Sequence, residues 1–206
     1  MRKIIIALCL LSCFVTLHSC KKKIRGCTDP LSTNYNSKAT EDDGSCTYLT
    51  IGQTYQGGVL AYILQAGDPG YDATVNHGLI AAPSDQSSSI RWYNGSYTTT
   101  AATATALGAG TDNTTTIVTS QGAGNYAAKI CSDLVLGGYD DWFLPSKDEL
   151  NKLYINKATI GGFVNNFYLS SSEIDLNFIW VQNYTTGFQA NGDKNYPICV
   201  RAVRAF

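Results

Sequence analysis

Histidine is almost missing from this 206-residue chain, which has only His18 and His77. No H-E-x-x-H, G-x-S-x-G or C-x-x-C sequence occurs, so zinc-hydrolase, serine-hydrolase and zinc-ribbon chemistry find no support. An excess of charge is missing too. Fifteen Lys and Arg stand against sixteen Asp and Glu, a net charge of −1, and such a balance leaves no electrostatic footprint for nucleic acid. No apolar run reaches the roughly 20 residues that a permanent helical membrane span needs.

What is present begins with an address. Arg2 and Lys3 precede an apolar run from Ile4 to Leu17, and Leu17-His18-Ser19-Cys20 follows where a cleavage site belongs. This order predicts a signal peptide over 1–19, cut after Ser19. A site that ends on cysteine resembles the bacterial lipobox. The resemblance implies diacylglycerol on the Cys20 sulfur and an acyl chain, such as palmitate, on its new amino group. Several chains make a stable anchor, at about 0.8 kcal/mol per buried methylene. In the tether over 20–25, Lys21, Lys22, Lys23 and Arg25 either meet phospholipid headgroups or form a solvated spacer. Cleavage leaves 13 basic and 16 acidic residues, a net charge of −3. Lys21 is not the Asp of the familiar inner-membrane retention signal. The expected location is therefore the outer membrane, with the body facing the periplasm in preference to the cell surface, the close alternative.

Four cysteines remain for the body: Cys27, Cys46, Cys131 and Cys199. An even number in an exported protein predicts two disulfides. Local spacing favours Cys27 with Cys46 and leaves Cys131 with Cys199, although three pairings are formally possible.

Residues 26–48 read as a polar, cysteine-bounded spacer with almost no core of its own. A bridge across such a loop contributes roughly 3 kcal/mol by the chain-entropy estimate. Asp29, Asn34, Asn36, Asp42 and Asp43 are hard oxygen donors of the type calcium prefers. The same residues are also ordinary turn formers, and no EF-hand spacing is present. Calcium in this spacer is one expectation and a metal-free turn-rich segment the other. No further cofactor is expected.

Residues 49–206 read as one domain. Gly57 to Leu64 and Gly78 to Ala82 predict buried strands. Thr98 to Gly124, rich in Thr, Ala and Gly, reads as ordered loop with short helical pieces. Asn125 to Leu136 predicts one helix, which presents Cys131 and is stopped by Gly137-Gly138. Ser146 with Glu149 three residues later predicts the capping box of a second. Alternating aliphatic and aromatic strands follow, so the expected class is α+β with two helices and short antiparallel strands.

Gly138-Tyr139-Asp140-Asp141-Trp142-Phe143-Leu144-Pro145-Ser146-Lys147-Asp148-Glu149-Leu150, then Leu169-Ser170-Ser171-Ser172-Glu173, Trp180 and Arg201-Ala202-Val203-Arg204-Ala205-Phe206 resemble the Lcl C-terminal domain family. These are bacterial extracytoplasmic domains named after a collagen-like adhesin. Where that family commonly has Trp before the serine run, this chain has Leu169. The order of elements also resembles the C-type lectin-like fold, in which a disulfide joins the first helix to the last strand. That resemblance implies a Cys131–Cys199 bridge. Calcium-dependent sugar sites of that fold use Glu-Pro-Asn and Trp-Asn-Asp sequences, and neither occurs here. The motif residues are expected to act structurally: Trp142, Leu144 and Leu150 in the core, Asp141 and Glu149 as local caps or pairs, and Ser170 to Glu173 as the holder of a loop.

An enzyme is not expected. His77 is alone, and the fold's formylglycine-generating oxidase needs paired cysteines that are read here as a bridge. A binding or adhesion module for a glycan or for an envelope or host protein fits better, with a passive envelope component as the rival. Candidate contacts are the aromatics of loop-like sequence, Trp92, Tyr93, Tyr97, Tyr184 and Phe188.

Overall fold

The computed structural model describes residues 22–206. The expected signal peptide, Cys20 and its lipid, and Lys21 lie outside the described residues.

In the spacer, β1 (Arg25–Gly26) and β2 (Glu41–Asp42) pair in parallel, and a disulfide joins Cys27 to Cys46, the pairing that local spacing favours. Asn76 Nδ2 donates to the Leu31 carbonyl at 2.7 Å and ties the spacer to the domain.

The domain runs β3 (Thr54–Tyr55), β4 (Gly58–Ile63), β5 (Gly78–Ala81) and β6 (Ser87–Ile90). Helices α1 (Gly110–Gln121), α2 (Ala127–Ser132), α3 (Lys147–Ile155) and α4 (Lys157–Ile160) follow. The chain then makes β7 (Phe167–Glu173), β8 (Phe178–Asn183), β9 (Gln189–Asp193), β10 (Ile198–Val200) and β11 (Val203–Ala205). One sheet has the order β11-β5-β4-β3 and the other β6-β10-β7-β8-β9. The α+β class is as expected. The pairings are antiparallel except β1 with β2 and β10 with β7, and the described residues hold four helices in place of two. β3 and β4 turn through Gln56 and Gly57, at φ 43° and 86°. A two-residue hairpin of this kind needs positive φ at both positions, and glycine supplies it without steric cost.

α1 is the main departure, a three-turn helix inside the Thr-rich stretch read as ordered loop with only short helical pieces. Its buried face carries Asn113, Thr114, Ile117 and Gln121, so it shows little apolar periodicity. Packing and side-chain hydrogen bonds hold it instead. Asn113 Nδ2 donates to the Ala104 carbonyl at 2.7 Å, Thr114 Oγ1 accepts from Leu144 N at 3.0 Å, and Gln121 Nε2 donates to Thr98 Oγ1 at 2.6 Å. α2 is shorter than expected. α3 opens with the predicted capping box, in which Ser146 Oγ accepts from Glu149 N and the Glu149 carboxylate accepts from Ser146 N.

Trp142, Leu144 and Leu150 are buried as expected, and so is Leu169, which fills core. Asp141 pairs with Arg204, far away in sequence, and not locally. Arg201 is also buried, with Nε 2.6 Å from Asp85 Oδ1 and its guanidinium 4.1 Å from the Phe163 ring centre.

Cys131 and Cys199 are both buried free thiols, which corrects the expected bridge. Parity explains it. Neighbouring residues of a strand face opposite sides of the sheet. On β10, Val200 faces the core cluster that contains Cys131, whereas Cys199 faces a second cluster with Tyr168 and Tyr184. Its sulfur instead lies 3.6 Å from the Ser88 carbonyl oxygen.

Candidate functional site

The turn from β9 to β10 is held from inside. Glu173 and Lys194 are both fully buried and form an ion pair. Glu173 Oε2 also accepts from the Thr100 and Ala101 amides, each at 2.8 Å. Lys194 Nζ donates to the Thr98 carbonyl at 2.9 Å and sits 4.8 Å from the centre of the Trp92 ring. The expected loop-holding role of Glu173 is thus met through a cation as well as through amides. With Lys194 pinned inward, its neighbours Asp193, Asn195 and Tyr196 form the surface of the turn.

Asp193 is the hub of that surface. Its Oδ1 accepts from the Tyr97 hydroxyl and from Asn195 N, both at 2.7 Å. The bond to Asp193 pushes the Tyr97 phenol up to about 12. Tyr97 stacks on Tyr93 with ring centres 4.9 Å apart and planes 28° apart, and the Tyr93 hydroxyl donates to Asn195 Oδ1 at 3.0 Å. Beside this cluster lies a groove of about 280 Å³ with a floor of Phe167, Val181 and Ile198 and a rim of Asn191, Asp193 and Tyr196. Tyr196 is 69% exposed and Tyr97 40%. The volume falls just below that of a typical ligand site, roughly 300–1,000 Å³. It suits one ring better than an extended chain.

Of the five predicted aromatics, only Tyr97 belongs to this surface as a solvent-facing ring. Trp92, Tyr93 and Tyr184 are buried, a correction to their reading as contacts. The Trp92 indole N–H donates to the Ser170 carbonyl at 2.9 Å, and the Tyr184 hydroxyl donates to the Leu150 carbonyl at 3.0 Å. Tyr93 acts from below, as the ring on which Tyr97 stacks. Phe188 is 69% exposed but precedes β9 at the end opposite Asp193, about 16 Å away at 3.3 Å per strand residue. Sequence reading missed Asn191, Asp193 and Tyr196. A tyrosine within the turn-forming run Asn191-Gly192-Asp193-Lys194-Asn195-Tyr196-Pro197 was the available signal.

Two other concavities hold titratable groups. One, of about 260 Å³, is lined by Leu64, His77, Thr111, Phe143, Glu149 and Phe206 among others. Burial pushes the Glu149 carboxyl up, but its oxygens already accept from the Gly108 and Ser146 amides at 2.8 and 2.7 Å. His77 Nδ1 lies 3.1 Å from the Phe206 carbonyl oxygen, and no hydrogen bond links it to Glu149. The other, of about 300 Å³, runs along α1 past Thr111, Thr115 and Asp141, where Arg204 holds Asp141. The free thiols do not form a dithiol centre. Burial pushes both up, and they face different core clusters.

The five spacer oxygen donors are all engaged by backbone amides within the spacer. Asp29 Oδ1 accepts from Leu31 N, Asn36 Oδ1 from Lys38 N, Asp42 Oδ1 from Gly44 N and Asp43 Oδ1 from Ser45 N, while Asn34 Oδ1 accepts from Thr47 N. The first four are the turn-forming bonds of Asx residues, and the fifth ties Asn34 to Thr47 across the spacer. Among the described residues no three His, Cys, Asp or Glu side chains gather as a metal site.

Comparison with known proteins places the fold. It is shared with a bacterial fimbrial protein. That protein, from Bacteroides ovatus ATCC 8483, superposes with a TM-score of 0.52 at 12% identity, over 82% of this chain and 50% of the other. The chain therefore spans about half the length of that neighbour. No family model matches the chain, and no curated protein matches it.

Proposed function

We propose that this chain is a lipid-anchored extracytoplasmic binding module that recognises a glycan through the groove beside Asp193. The observation that carries the reading is an apolar groove rimmed by the exposed Tyr196 ring and by the Asp193 carboxylate, which the exposed Tyr97 holds from outside the groove. Aromatic faces stack on the apolar C–H face of a sugar ring, and a fixed carboxylate orients its hydroxyls. Resemblance to the Lcl C-terminal domain and to the C-type lectin-like fold supports a binding role. So does the order of strand, long loop, helices and returning strands, although Cys131 and Cys199 are free thiols and do not form the bridge typical of that fold. The module is not an enzyme in this reading, since no acid–base pair faces the groove. Screening purified protein on a glycan array tests it. Binding that is lost in Tyr196→Ala is expected, and equal binding by that variant would contradict it.

The anchor is part of the proposal. Cys20 carries the lipid, and the body faces the periplasm from the outer membrane. Radiolabelled palmitate should enter the wild type and not Cys20→Ala, and protease applied to intact cells should leave the body whole. The fimbrial neighbour favours a second reading, a subunit of an envelope assembly. In that case the protein would co-purify with envelope proteins and show no affinity for any glycan.

A further inference from the structure

The rim of the groove carries a charge preference. Its only ionised side chain is Asp193, and no lysine or arginine lines it. The adjacent cation, Lys194, is turned inward, where Glu173 and the Thr98 carbonyl hold its ammonium. Tyr97 and Asn195 occupy Oδ1 of Asp193, whereas Oδ2 has no partner among the described residues. The rim thus offers a free carboxylate acceptor and the Asn191 amide.

From this we infer that the groove accepts an uncharged sugar ring, one of whose hydroxyls donates to Asp193 Oδ2, and rejects sulfated or carboxylated rings. The inference rests on the glycan reading above and adds the ligand class. A sulfate or carboxylate placed at this rim meets a like charge with no counter-cation. A hydroxyl meets an ionised acceptor, the stronger type of hydrogen bond. Tyr97 is a positioning residue here, because it holds Oδ1 and thereby aims Oδ2.

Purified protein is titrated with neutral galactan, glucan and N-acetylhexosamine oligosaccharides, and separately with heparin and sialyllactose. At least one neutral oligosaccharide is expected to bind, with an affinity that stays nearly constant between low and high salt. Heparin and sialyllactose are not. Asp193→Asn keeps the Oδ1 acceptor and the size of the side chain, so its thermal midpoint should match the wild type while its affinity falls about tenfold. Tyr196→Ala should abolish binding. Heparin binding that is lost in Tyr196→Ala would leave the groove in place and overturn the charge preference. Neutral binding indifferent to both substitutions, or no glycan binding at all, would overturn the groove reading and this inference with it.

Discussion

Arg204 grips Asp141 at two points, Nε to Oδ1 at 2.6 Å and Nη2 to Oδ2 at 2.8 Å, across 63 residues of sequence. The same guanidinium donates to Gln56 Oε1 at 2.7 Å and lies 3.8 Å from the centre of the Tyr139 ring. One side chain on β11 thereby fastens the hairpin turn of β3 and β4 to the segment that leads into α3. The bond to Arg204 holds the Asp141 carboxyl below the usual carboxylate range. A depressed carboxyl contributes stability above its unfolded pKa of about 3.9 and loses it as pH falls through the folded value. The Asp141 side chain is about half exposed, so solvent screens the pair and Asp141→Asn should cost on the order of 1 kcal/mol. Thermal unfolding of wild type and variant should show a gap at pH 7 that narrows below pH 4. A gap that stays constant would contradict the assignment.

Lys194 and Glu173 predict a larger effect. Removing one member of a fully buried pair leaves an uncompensated charge, at a cost of about 3–5 kcal/mol. Lys194→Met should therefore lower the thermal midpoint by roughly 10 °C, at 2–4 °C per kcal/mol for a chain of this size. The double variant Lys194→Met with Glu173→Gln should recover part of that loss. A single variant as stable as the wild type would mean that the pair does not hold the turn.

The state of the cysteines is a direct matter of mass. Alkylation in denaturant without reductant should label Cys131 and Cys199 and spare Cys27 and Cys46. Recovery of a Cys131–Cys199 linked peptide would restore the lectin-type bridge and contradict the buried thiols.

What the sequence disclosed was local. The capping box of α3 was legible because Ser146 and Glu149 are three residues apart and satisfy each other's backbone. The Cys27–Cys46 pairing was legible for the same reason of proximity. α1 was hidden because Asn113, Thr114 and Gln121 fill its buried face and their partners, Ala104, Leu144 and Thr98, come from other segments. Cys199 was misread because its side of the sheet depends on strand parity, which spacing between cysteines does not report. The aromatics in loop-like sequence looked exposed, yet Trp92 and Tyr184 are buried by packing between distant segments. Asp193 became a site residue only when Tyr97, 96 positions earlier, reached it.

The spacer carries its own prediction. Since Asp29, Asn34, Asn36, Asp42 and Asp43 already accept backbone amides, millimolar calcium should leave the melting profile of the protein unchanged, and so should EDTA. A site filled to 100 times its Kd would add about 2.7 kcal/mol. A midpoint raised by several degrees with calcium and reversed by EDTA would show that these side chains rearrange around the ion.

The groove at the β9–β10 turn is where a glycan is proposed to bind. Residue-resolved NMR titration of isotope-labelled protein with an array-positive oligosaccharide tests it most directly. The largest shift changes are predicted at Asn191, Asp193, Tyr196 and Tyr97. Changes centred on His77, Thr111 and Phe206, with the β9–β10 turn silent, would overturn this reading and move the site to the concavity those residues line.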